Sequence, residues 1–131
     1  MRQLTALFDA PLPASAARRA LAAAGFADAD IDGFSTQAGE SPSAGDPARR
    51  HGDLAAEIAL RAARLAADPA DGLAAAIAET LHARGVPATH AGDMAGRVAV
   101  GRGWLVGVVC PDRRAAKARL ALLGAAPVAL F

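Results

Sequence analysis

The side chains of this 131-residue chain that could do chemistry are one cysteine, three histidines and a scatter of carboxylates. Cys110 closes the apolar run Trp104-Leu105-Val106-Gly107-Val108-Val109-Cys110, two residues before Asp112. A negative charge so near disfavours a thiolate, so the thiol reads as a small buried hydrophobe. A lone cysteine also excludes an internal disulfide and a Cys-rich metal knuckle. His51, His82 and His90 never fall at the i,i+4 spacing of a helical metal pair; His90 and Asp93 fall at i,i+3, without a third ligand. Glu40, Glu57 and Glu79 are too dispersed for an acid/base pair, and no nucleophile elbow or Ser/His/Asp order is visible. Gly101-Arg102-Gly103 with Gly107 departs from the dinucleotide fingerprint and precedes a strand, where the fingerprint follows one and opens a helix. A turn accounts for it. No catalytic, cofactor or metal residue is assigned, and no enzymatic role is expected.

Two other features concern binding. Arg49, Arg50, Arg61 and Arg64 cluster on one helical segment as a candidate anion or partner face. Asp53, Glu57 and Asp68 among them favour a solvated, salt-bridged surface, with Glu57 and Arg61 in the stabilising i,i+4 order worth about 0.2–0.5 kcal/mol. Trp104, at the start of an apolar strand, reads as a core cap rather than a binding aromatic.

Composition narrows the function classes. Fourteen basic against 13 acidic residues give a net charge of +1, and aromatics are 4% with no tyrosine, so neither a phosphate-neutralising surface nor a base-stacking platform is expected. No cofactor and no nucleic-acid partner are implied. The apolar runs fall short of the roughly 20 residues of a membrane helix, and Asp9, Pro11 and Pro13 interrupt the opening of the chain before an h-region forms. A cytoplasmic protein with no membrane partner is expected. Its 38 alanines predict a thin core of closely packed helices.

The elements that must position these residues follow from patterning. Residues 3–8 read as a strand ended by Asp9 and the Pro11/Pro13 turn, and residues 14–24 as a helix stopped by Gly25. Ile31-Asp32-Gly33-Phe34 alternates as a half-buried strand. Residues 36–46 are rich in Ser, Gly and Pro and read as a mobile linker. Asp46-Pro47 and Asp68-Pro69 are two cap-and-proline helix starts, the first helix striped by Leu54, Ile58 and Leu65 and the second by Leu73, Ile77 and Leu81. Pro87 to about Val100 is a further helix weakened by Gly92 and Gly96. A central strand at 104–110, a helix at 112–123 and a closing strand at 127–131 complete the chain.

The two ends of the chain resemble each other. With an offset of 99 residues, Ala16, Ala17, Leu21, Ala22 and Gly25 coincide with Ala115, Ala116, Leu120, Ala121 and Gly124. Each stretch lies between two strands. The chain is therefore read as one domain of the α/β (α+β) class: a ferredoxin-like sandwich of two βαβ units, 3–35 and 103–131, with strands one and three central and helices inserted at 47–100. The offset makes Leu21 and Leu120 equivalent buried residues, and Gly25 and Gly124 equivalent helix-ending glycines with positive φ.

This order of elements resembles the bacterial heat-induced general stress proteins of the YflT type. An opening strand, turn acid and Ala-rich helix ending in Gly-Phe match Leu4–Phe26, and Gly85-Val86-Pro87 and Gly124-Ala125 match the second signature of that family. The resemblance implies a stress-associated cytoplasmic protein and transfers no catalytic residue. The expected function is non-enzymatic, through self-association as a homo-oligomer or through a protein partner, by way of sheet edges or the apolar stripes of the inserted helices. The alternative is a small-molecule sensor or regulatory domain that binds a metabolite at a subunit interface.

Overall fold

The computed structural model describes residues 1–36, 54–64 and 69–131. Strand β1 (Arg2–Phe8) leads into helix α1 (Pro11–Ala23), a single 3₁₀ turn (Asp28–Asp30) and strand β2 (Ile31–Phe34). Helices α2 (Leu54–Arg64), α3 (Pro69–Ala83) and α4 (Ala88–Ala99) follow, then strand β3 (Trp104–Cys110), a 3₁₀ turn (Asp112–Arg114), helix α5 (Ala115–Leu123) and the short strand β4 (Ala129–Leu130). Pro11 and Pro13, expected to form a turn, instead lie in the first turn of α1, where a fixed φ suits the helix and a missing N–H leaves nothing unpaired. The closing strand is two residues long rather than five, and the insertion holds three described helices. The expected linker and the Asp46-Pro47 start lie outside the described residues.

The four strands form one antiparallel sheet in the order β2-β3-β1-β4, so strands one and three are central. β1 pairs with β3 along its whole length, from Arg2 opposite Cys110 to Phe8 opposite Trp104. Alternation along the strands divides the core. Leu4, Ala6, Phe8, Val106, Val108 and Cys110 meet α1 and α5 on one face, whereas Leu7 and Leu105 meet α2, α3 and α4 on the other. Helices thus cover both faces, and this is why β3 is apolar on both sides. The stripes of α2 and α3 are consumed here: Leu54, Ile58, Ile77 and Leu81 are all buried and Leu73 packs at the margin. Leu65 lies outside the described residues. The two glycines of α4 are exposed, and its helix is secured by burial of Ala91, Met94, Ala95 and Val98.

The equivalence of α1 and α5 holds with a different offset from the one the identities suggest. Leu21 is fully buried, but Leu120 is 71% exposed; the buried leucine of α5 is Leu122. An offset of 101 pairs Ala14 with Ala115, Ala17 with Ala118 and Leu21 with Leu122, six buried residues at the i,i+3,i+7 spacing of one helix face. Gly25 then falls on Ala126, and these two share a left-handed backbone, with φ of +93° and +57°. Gly124, expected to have positive φ, is right-handed at −61°. Alanine abundance drew the sequence match two residues out of phase.

Ala126 is the sole non-glycine residue with positive φ among those described. The left-handed region costs an alanine about 1–2 kcal/mol, part of which a glycine gives back through its freer unfolded chain. Ala126→Gly is accordingly expected to stabilise the protein by about 0.5–1 kcal/mol in urea unfolding, and Gly25→Ala to destabilise it.

Candidate functional site

A buried ionic cluster fixes the insertion to the sheet. Asp32, 5% exposed, points from β2 to the helical side, where its carboxylate accepts hydrogen bonds from Arg84 Nη1 at 3.3 Å and Nη2 at 3.0 Å and from the Leu54 backbone N–H at 3.1 Å. Arg84, at the end of α3, also donates through Nε to Glu57 of α2 at 3.1 Å. Space for the pair comes from Gly107 on β3, where a methyl group would collide with the Asp32 carboxylate. One guanidinium thereby ties β2, α2 and α3 together through charge-assisted, bidentate bonds.

With the insertion anchored, α4 is laid across the end of the sheet. Its last turn packs on Gly103, where an added Cβ would approach Leu7 Cδ1 and Val98 Cγ2 to 2.9 Å, and Thr36 Oγ1 donates to the Val98 carbonyl at 3.0 Å. At its other end the His90 ring rests 4.8 Å from that of Phe131. Between α4 and the end of β1 lies a cleft of about 770 Å³, lined by Asp9, Asp93, Arg97, Val100, Arg102, Trp104 and the three glycines 92, 96 and 101. A volume of this order suits a small molecule.

The lining mixes opposite charges on both walls. Asp93 and Arg97 lie one turn apart on the exposed side of α4, and Asp9 and Arg102 come from the ends of the sheet. None of the four is drawn into a salt bridge among the described residues. Trp104 is half-buried against the α1–α5 core, and its indole N–H is buried with no hydrogen-bond partner among the described residues. Buried indole N–H groups ordinarily find an acceptor.

No family model, curated protein or solved structure matches this chain.

Of the arginine face read from the sequence, Arg61 and Arg64 lie on α2. Arg49 and Arg50 lie outside the described residues, as do His51, Asp53, Glu40 and Asp68. Arg61 donates to Thr80 Oγ1 on α3 at 3.1 Å, and Arg64 is exposed at the end of α2. Glu57 pairs with Arg84 at 3.0 Å instead of with Arg61 one turn along. Arg84 is buried and already held by Asp32, which fixes its guanidinium beside Glu57, whereas an i,i+4 pair on an exposed face is worth only tenths of a kcal/mol. His82 engages its ring Nδ1 with the Val86 carbonyl at 3.0 Å. Among the described residues no three His, Cys, Asp or Glu side chains gather as a metal site.

Sequence reasoning missed both the ionic cluster and the cleft. Asp32 was legible only as the polar step of an alternating strand, and a glycine amid β-branched residues at 107 was the one signal that something approaches β3 closely. Cys110 is 1% exposed, at the opposite end of β3 from the cleft. Burial pushes its thiol above the ordinary range, Arg114 opposes the shift and Asp112 adds to it. A raised folded value means that the unfolded chain loses this proton first as pH rises, so the contribution of Cys110 to stability declines above about pH 8.5. Thiol-specific labelling of the native protein at pH 8 is expected to be at least tenfold slower than in urea.

Proposed function

We propose that this protein is a non-enzymatic binding domain of ferredoxin-like architecture that takes a small polar molecule in the cleft beside Trp104. The 2-3-1-4 antiparallel order with α1 and α5 on one face supports that architecture, to which α2, α3 and α4 add a third layer. A single observation carries the functional reading: two carboxylates and two guanidiniums line one cleft with none of them in a salt bridge among the described residues. Guanidiniums donate to carboxylate or phosphate groups, carboxylates accept from ammonium or hydroxyl groups, and the indole offers an apolar surface. A zwitterionic metabolite meets all three. The resemblance of Gly85-Val86-Pro87 and Gly124-Ala125 to the heat-induced general stress proteins supports a stress-associated role for the domain. Ligand binding then acts as its input.

Trp104 is the only tryptophan of the chain, so its emission reports the cleft directly. Titration with free amino acids, mononucleotides and inorganic phosphate is expected to yield at least one compound that shifts the emission saturably and raises the melting temperature by mass action. Arg97→Gln/Arg102→Gln should weaken that compound at least tenfold at unchanged melting temperature of the free protein. If no compound moves either signal, or if the double substitution leaves affinity intact, the cleft is not a binding site.

A further inference from the structure

The outer surface of the α1–α5 layer carries a feature independent of the cleft reading. Residues 10–17 and 120–131 contain no Asp, Glu, Lys, Arg or His. These uncharged segments meet in space. Each helix runs back along its own strand and β1 is antiparallel to β3, so α1 and α5 are antiparallel, with Arg114 Nη2 donating to the Ala24 carbonyl at 3.2 Å where α5 starts and α1 ends. The opposite end joins the start of α1 to the last turn of α5, and the Val128 N–H donates to the Leu7 carbonyl at 2.7 Å beside it. Four large side chains stand exposed there: Leu12 at 78%, Leu120 at 71%, Leu123 at 48% and Val128 at 46%. In α5 the two leucines Leu120 and Leu123 stand exposed on the same helix whose buried face holds Ala115, Ala118 and Leu122, so apolar side chains extend beyond the face that meets the sheet.

We infer that this end of the α1–α5 layer is the contact between two copies of the chain. The distribution of charge selects this occupant. Neither helix contains an acidic residue, and the exposed basic side chains Arg19, Arg113 and Lys117 lie towards the far end of the layer, while Arg119 turns to the flank beside Arg2 and Leu4. An acidic protein or an anionic membrane would draw basic groups into or around the apolar patch. A two-fold contact instead needs a patch that matches itself, and one without charge does so with no like-charge opposition; the basic ends of the two copies then point apart. Exposed apolar patches on soluble chains commonly mark such contacts.

Light scattering across 1–500 μM protein tests the inference, with the full chain throughout. The wild type is expected to be a dimer, and Leu120→Glu/Leu123→Glu to raise its dissociation constant at least 100-fold while circular dichroism stays unchanged. Should that variant fail to fold, Leu12→Glu provides the same test from the other helix, in a first turn where an acidic residue is favourable. Leu60→Glu, an exposed residue of α2, should leave the dimer intact. A wild type that is monomeric throughout overturns the inference, as does a dimer that survives both α1 and α5 substitutions or is lost equally with Leu60→Glu. A monomer that floats with phosphatidylglycerol vesicles would assign the patch to a membrane, and overturns it as well.

Discussion

Arg84→Met is expected to lower stability by about 3–5 kcal/mol in urea unfolding, the range for removing one partner of a buried ion pair. The side chain of Arg84 is 3% exposed and that of Asp32 7%, so after the substitution the Asp32 carboxylate would remain in the core without its counter-charge, although the Leu54 N–H still donates to it. Glu57, with a side chain 37% exposed, can turn to water and contributes less. The double variant Asp32→Asn/Arg84→Met should therefore be more stable than Arg84→Met alone, because no uncompensated charge is left. Gly107→Ala probes the same cluster from beneath: it is expected to be strongly destabilising in the wild type and markedly less so with Asp32→Ala. Equal penalties in the two backgrounds would show that the glycine answers to some other neighbour.

Leu122→Ala and Leu21→Ala should each cost about 2–5 kcal/mol, whereas Leu120→Ala should change stability by no more than about 0.5 kcal/mol. Leu21 and Leu122 are both fully buried against the sheet face formed by Ala6, Phe8, Val106 and Val108, and truncation leaves a void that an alanine-rich surround has few flexible side chains to refill. Leu120 faces outward. Denaturant midpoints read at an unchanged m-value separate the three. A large loss for Leu120→Ala at a protein concentration where the chain is monomeric would contradict the offset of 101 between the two helices.

Much of this arrangement was legible because it rests on local patterning. β2 and β3 have the bounds that alternation and β-branched composition predict, and α3 and α4 begin and end within a residue or two of their proline and glycine signals. The errors have specific causes. A helix of alanines offers little contrast between its faces, so matching letters placed Leu21 over Leu120, while packing against a shared sheet placed it over Leu122. The proline pair lacked a visible cap, and the start of α1 depends on Ala10 being held extended by the end of β1. Asp32, Arg84 and Glu57 stand far apart in sequence and become one cluster only through the sheet order. The cleft could not have been read at all, since Asp9, Arg97 and Trp104 share no motif and converge because α4 crosses the end of the sheet.

Phe34 and Leu105 are direct partners across β2 and β3, and so the chain leaves the sheet at one residue and returns at the neighbouring position after the whole helical insertion. In a plain hairpin this pairing would form early, from a short local loop. Here closure spans everything from Ser35 to Gly103, and since each doubling of a loop adds about 0.6 kcal/mol, the entropic handicap over a tight turn is on the order of 3 kcal/mol. Contacts of such long sequence separation slow folding. Because Asp32 finds Arg84 only when α3 has formed, the docking of this edge strand and the consolidation of the insertion become a single kinetic unit.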